Sequence, residues 1–184
     1  MTLKIACVQS DIIARNPSEN FKHLDELFTR IQDDRDIIIL PETFTTGFPA
    51  EPELFAEDEN GATMTWLRQK AKERNCAIVG SFITQFSHRD SKSPSHQEES
   101  QCLSDSDTQC LKSHNTLVWM NPDGTYHTYD KRHTFMGGEK EQLCCGQNLI
   151  TIEYKGWKIR PFVCYDLRFP IWLRNGYKDG EFEY

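Results

Sequence analysis

The sequence predicts an α/β layered domain built on a mixed sheet. Short apolar runs alternate with amphipathic stretches through the first 83 residues, in the order strand, helix, strand, helix, strand. That order calls for crossover connections and parallel pairing. After residue 114 the pattern changes to strand pairs around turn residues, which adds antiparallel hairpins. A chain of 184 residues fits one domain.

Each element has a local reason. Residues 3–9 (LKIACVQ) form a first strand. Asn16, Pro17 and Glu19 then give a helix start: a cap residue, proline at the first helical position, and an acid three residues after the cap. Phe21, Leu24, Leu27, Phe28 and Ile31 follow at helical spacing and make one apolar face. The run 37–40 (IIIL) suits a strand buried on both faces. Residues 62–74 give a second helix with Met64, Leu67 and Ala71 on one side, and 76–83 (CAIVGSFI) a third strand. Residues 115–121 and 125–129 flank the turn Pro122-Asp123-Gly124. Residues 149–154 and 157–163 flank Lys155-Gly156.

Residues 86–113 break this order. Eight serines, charges of both signs and almost no large apolar side chains cannot offset the entropy of ordering. The segment is expected to be a polar, flexible insertion in a domain that otherwise spans 1–184.

Composition narrows the function classes. A net charge of -7 without a long basic run argues against nucleic acid and anionic membrane as partners. No stretch approaches the ~20 apolar residues of a membrane span, and the N-terminus has no signal-peptide core. Seven cysteines at irregular spacing, with no CxxC pair, point to reduced thiols in a cytoplasmic protein, with no zinc site.

Three residues with chemical potential each follow a predicted strand. Glu42 lies in Leu40-Pro41-Glu42-Thr43-Phe44, Lys131 in Asp130-Lys131-Arg132-His133, and Cys164 in Val163-Cys164-Tyr165-Asp166-Leu167-Arg168-Phe169-Pro170. Ligands of α/β sheets collect beyond strand ends, and three such strands side by side would join a carboxylate, an ammonium and a thiol. The carboxylate can take the thiol proton. The ammonium can stabilise first a thiolate and then an oxyanion. The Tyr165 N–H, first after the thiol, is a second oxyanion donor if the chain turns sharply at Cys164. Each signal alone has an ordinary structural reading: a packed cysteine, a loop start, a solvated charge run.

Together these three blocks resemble the nitrilase superfamily of carbon–nitrogen hydrolases. The arginine and phenylalanine at 168 and 169, with Ile5-Ala6-Cys7-Val8-Gln9 and Glu42-Thr43-Phe44-Thr45-Thr46-Gly47-Phe48, are most similar to its omega-amidase branch. The resemblance implies an αββα sandwich with mixed sheets, Glu42 as general base, Lys131 as oxyanion stabiliser and Cys164 as nucleophile. It implies a second glutamate after the lysine, best matched by Glu139, and a homodimer as one assembly to expect. It also implies further strands and helices beyond Tyr184, so the 184-residue chain is expected to be an incomplete sandwich, poorly soluble or inactive alone. The implied substrate is a small omega-amide of a dicarboxylate, such as alpha-ketoglutaramate, and no cofactor is required. Arg168 is assigned either to the substrate's distal carboxylate or to a structural ion pair. Two other readings stay open here: a catalytically weak chain acting as a non-enzymatic partner, and a different branch such as an aliphatic nitrilase or a carbamoylase.

Overall fold

The computed structural model describes residues 2–85, 113–174, 176–178 and 181–183. The insertion expected at 86–113 lies outside these residues, apart from Ser113.

Five strands form one sheet: β1 (Ile5–Cys7), β2 (Ile37–Ile39), β3 (Ala77–Thr84), β4 (His114–Met120) and β5 (Tyr126–Asp130). They stand in chain order, β1-β2-β3-β4-β5. β1, β2 and β3 are parallel, and β3–β4 and β4–β5 are antiparallel. The crossovers are α1 (Pro17–Phe28) and α2 (Ala62–Arg74). Asn16 caps α1 as its sequence predicts, its side chain accepting from Glu19 N, with Pro17 in the first turn. α2 ends at Asn75, which adopts the left-handed conformation (φ 48°) common to helix caps.

The period-two pattern of the strands divides the core into two faces. On one face Ile38, Ile78, Phe82, Val118 and Met120 meet Leu24 and Phe28 of α1 and Met64, Trp66, Leu67 and Ala71 of α2. Fully burying each of the aliphatic side chains contributes about 1.5–3 kcal/mol. The other face carries Ile37, Ala77, Val79, Leu117, Trp119 and Tyr129. It packs on a separate hairpin, β6 (Ile152–Tyr154) with β7 (Trp157–Ile159), through Ile152, and on Val163 beyond it. Helices on one side and a second sheet on the other are three layers of the sandwich type. A further hairpin pairs β8 (Gly176–Lys178) with β9 (Glu181–Glu183).

Two expectations need correction. The apolar run 157–163 forms a strand only to Ile159, and that strand pairs with β6 alone rather than lying inside the main sheet. Pro161 has no N–H to donate, and the turn that follows draws Val163 N to Asp166 instead. β2 is not buried on both faces throughout: Ile39 is partly exposed and lines an apolar cleft of about 670 Å³ between the sheet and the β6–β7 hairpin.

The topology decides where the chemistry sits. β5 runs parallel to β2, because two antiparallel pairings intervene after β3. The residues that follow β2 and β5 therefore leave the sheet at the same edge. The segment after Lys131 is pinned by Gly146, whose N–H donates to Lys131 O (2.9 Å). A Cβ at Gly146 would lie 2.0 Å from the Asp130 carbonyl oxygen. Gly146→Ala is expected to cost about 1–3 kcal/mol or more by overpacking and to lower the melting temperature by several degrees. An unchanged melting temperature would show that the 143–146 segment moves freely.

Candidate active site

Glu42 follows β2 and is held by a tight turn. Thr43, fully buried, has φ 45°, which a β-branched residue rarely adopts and which costs on the order of 1–3 kcal/mol. Hydrogen bonds offset that strain. Thr43 N donates to Ser81 Oγ (3.0 Å), and Phe44 N donates to Ser81 O (3.1 Å). Thr46 N and Gly47 N close the turn on Thr43 O (3.1 and 2.8 Å). Glu42 Oε1 then accepts from Lys131 Nζ (2.7 Å) and from Asn115 Nδ2 (2.9 Å).

Lys131 continues β5 and is 1% exposed. Its ammonium donates to Glu42 and also to Glu139 Oε2 (2.6 Å). Burial pulls the lysine toward neutrality, but the hydrogen bonds and charges of Glu139 and Glu42 outweigh it and hold its pKa above the ordinary value. Glu139, at the start of the short helix α3 (Glu139–Gln142), is itself buried and also accepts from Phe135 N (2.7 Å).

Asn115 completes this group, and sequence reasoning did not single it out. Lys131 N donates to Asn115 O, so the two residues stand opposite each other in an extension of the β4–β5 ladder. The Asn115 amide donates to Glu42 Oε1 and to Glu139 Oε1 (3.1 Å). One ammonium and one amide thus bridge two carboxylates. The signal was present: three polar residues, His114-Asn115-Thr116, open a strand that is otherwise apolar to Met120.

Cys164 opens a 3-10 turn, Cys164–Arg168, with φ 42°. This is the sharp turn expected at the nucleophile, although it leads into 3-10 geometry and then the short helix α4 (Pro170–Leu173). The residue is solvent-exposed, yet desolvation of the thiol raises its pKa. The charge and hydrogen-bonding capacity of Glu42 raise it further, against the opposing effect of Lys131. The resting thiol therefore keeps its proton at neutral pH. Glu42 and Cys164 line one cleft of about 350 Å³ with Pro41, Ser81, Leu117 and Phe162.

The strands that deliver these groups are not side by side, as the sequence suggested. β3 and β4 separate β2 from β5, and the turn carrying Cys164 follows a different sheet. The Lys131 side chain, whose Nζ reaches Glu42, and the loops beyond the strands close the gap. The Tyr165 N–H has no acceptor among the described residues, since the backbone bonds of the turn begin with Asp166 N to Val163 O (3.0 Å). Arg168 is exposed, forms no ion pair with another described residue, and does not line the cleft. Among the described residues no group of His, Cys, Asp and Glu could hold a metal ion, and no helix is long and apolar enough to cross a membrane.

The carbon–nitrogen hydrolase family model matches residues 4–182. The chain belongs to the carbon–nitrogen hydrolase family. It is 35% identical over 176 residues to the omega-amidase YafV of Escherichia coli (strain K12), a match covering 94% of this chain and 58% of that protein. It is 27% identical over 177 residues to the 2-oxoglutaramate amidase of Bacillus subtilis (strain 168), covering 95% and 60%. Among solved structures, XC1258 of Xanthomonas campestris, a CN-hydrolase superfamily protein with an arsenic adduct in its active site, superposes with a TM-score of 0.79 at 34% identity. That match covers 98% of this chain and 61% of XC1258. The α/β nitrilase-type fold with a mixed sheet is thus shared with other carbon–nitrogen hydrolases. The chain spans about 60% of the length of these relatives.

Proposed function

We propose that this carbon–nitrogen hydrolase chain carries a thiol-dependent amidohydrolase site that releases ammonia from a small omega-amide of a dicarboxylate, of the alpha-ketoglutaramate kind. The observation that carries the proposal is that Glu42 faces both partners it needs, the Lys131 ammonium at 2.7 Å and the Cys164 thiol in the shared cleft. The omega-amidase and 2-oxoglutaramate amidase relatives support the choice of substrate class.

The steps follow from the protonation states. Glu42 takes the thiol proton as Cys164 Sγ attacks the amide carbonyl carbon. The C=O π pair moves to oxygen, and the oxyanion is stabilised by Lys131 and the Tyr165 N–H. The C–N bond then breaks, the nitrogen takes the proton from Glu42, and ammonia leaves a thioester on Cys164. Water attacks that thioester with Glu42 again accepting a proton. The acid departs and the thiol is restored. Glu139 and Asn115 hold Lys131 and Glu42 in place through both stages. Arg168 does not line this cleft and has no step in the sequence. No cofactor enters the sequence.

The test is incubation with alpha-ketoglutaramate, rapid acid quench and peptide mass spectrometry, with ammonia measured in parallel. The expected result is an acyl adduct on Cys164 that forms and decays with ammonia release. Adducts only with nitriles or carbamoyl compounds would move the chain to another branch. No adduct with any carbonyl or nitrile substrate, from a chain shown to be folded by a cooperative thermal melt, would remove the thiol mechanism.

A further inference from the structure

Asp166 is fully buried and has no part in the reaction steps above. Its carboxylate accepts four hydrogen bonds from three segments. Oδ2 accepts from Tyr129 OH (2.8 Å), near the end of β5, and from Val163 N (3.1 Å), just before the nucleophile. Oδ1 accepts from His133 N (2.9 Å) and from His133 Nδ1 (2.8 Å), two residues past Lys131. Trp172 Nε1, on α4, donates to Tyr129 OH (3.0 Å). The His133 ring stacks on Phe169 at 3.6 Å between centroids and 7° between planes. Both flanks of Lys131 and both flanks of Cys164 are therefore tied to one carboxylate or to its partners.

A buried carboxylate that no lysine or arginine among the described residues pairs with is retained at a desolvation cost, so its bonds must be filled in a set geometry. Here they are filled by groups that straddle the lysine on one side and the thiol on the other. Cys164 needs such support, because its φ of 42° is unfavourable for a residue with a side chain. We propose that Asp166 is the positioning residue that clamps the Cys164 turn against the end of β5, and so sets the thiol relative to Lys131 and Glu42. The proposal rests on the thiol-hydrolase reading of the site. Without the clamp, the turn relaxes and carries the thiol out of the cleft and away from Glu42. Asparagine cannot replace the carboxylate, because its amide nitrogen accepts no hydrogen bond and must face one donor pair or the other.

The experiment is alkylation by iodoacetamide across a pH series, read residue by residue by peptide mass spectrometry. Burial and Glu42 together raise the Cys164 thiol pKa, with Glu139 adding to them and Lys131 opposing, so the wild-type rate at Cys164 rises only at a high midpoint. In Asp166→Asn the midpoint is expected to fall toward that of a simple thiol, with several-fold faster alkylation of Cys164 at neutral pH. Buried Cys76 reports on the integrity of the fold and is expected to stay protected. A merely structural role would expose Cys76 and leave the Cys164 midpoint of the remaining folded molecules where it was. Should Asp166→Asn unfold, Tyr129→Phe removes one of the four donors at nearly constant volume and is expected to shift the midpoint partway. An unchanged midpoint with Cys76 protected, in whichever of the two variants folds, overturns the proposal. Glu42→Gln separates this failure from that of the underlying reading. It is expected to lower the midpoint by itself, and if it does not, Glu42 does not act on the thiol and both proposals fall.

Discussion

Cys164→Ala is expected to eliminate acyl-enzyme formation and to reduce ammonia release by a factor on the order of 10⁴ or more, the scale on which loss of a catalytic nucleophile is felt. The prediction concerns one thiol among seven cysteines. Cys164 lines the cleft with Glu42, whereas Cys144 and Cys145 do not. Cys144 N is engaged with Ser113 O, and Cys145 Sγ lies 3.7 Å from Thr134 Oγ1. Cys144→Ala and Cys145→Ala should therefore keep most of the activity. Cys164→Ser should fail almost as badly as the alanine variant. The raised thiol pKa already makes proton transfer to Glu42 an uphill step, and a hydroxyl sits several units higher still. Stability should barely change, because the replaced side chain is at an exposed position. The check is a paired measurement of thermal melting and acyl-adduct yield. Ammonia release near the wild-type rate from Cys164→Ala would remove the thiol from the mechanism.

What could be read from the chain alone was what local patterning controls. The cap at Asn16, the apolar spacing of 62–74 and the turn at Pro122-Asp123-Gly124 each act within a few residues, and the structure places α1, α2 and the β4–β5 hairpin accordingly. The mixed sheet followed from the change of connection type. Glu42 and Lys131 were legible as residues beyond strand ends, Cys164 was placed after a strand that in the structure already stops at Ile159, and Glu139 was legible only through the family resemblance. What local patterning could not supply were contacts between residues distant in sequence. Asn115 reaches Glu42 across 73 positions, and Asp166 reaches Tyr129 across 37. Neither residue stands out by composition, since an asparagine in a strand and an aspartate in a turn are ordinary. The end of the strand before Cys164 was misjudged for a related reason. Apolar residues such as Phe162 and Val163 are buried against the sheet without being hydrogen-bonded into it, and periodicity cannot separate burial from pairing.

Lys131→Gln is expected to lose rate by about a hundredfold or more, the effect of removing one oxyanion stabiliser, and to destabilise the fold as well. The second effect follows from the surroundings of the ammonium. Glu42 and Glu139 both hold Lys131 Nζ, at 2.7 and 2.6 Å, and share the Asn115 amide. Removing the cation leaves two facing carboxylates with one neutral donor between them. Breaking a buried ionic network from one side costs about 3–5 kcal/mol. The variant can limit this loss only by protonating one carboxylate, since two such groups at close range do not both ionise. That gives a pH signature with a definite sign. A carboxylate whose folded-state pKa is raised above its unfolded value contributes stability at low pH and loses it as pH rises through the folded pKa. Lys131→Gln should thus be most nearly wild-type at mildly acidic pH and fall behind progressively toward neutrality. The wild-type lysine, with its pKa raised, keeps its contribution across that whole range and loses it only at strongly alkaline pH. Arginine should not restore the rate, because a planar fork cannot occupy the point between Glu42 and Glu139 that the ammonium fills. Thermal melts from pH 5 to 8 and single-turnover acylation at each pH measure the two effects separately. A variant with wild-type stability throughout would show that the carboxylates do not depend on the ammonium. A rise in KM with kcat unchanged would make Lys131 a ground-state binder rather than a stabiliser of the oxyanion.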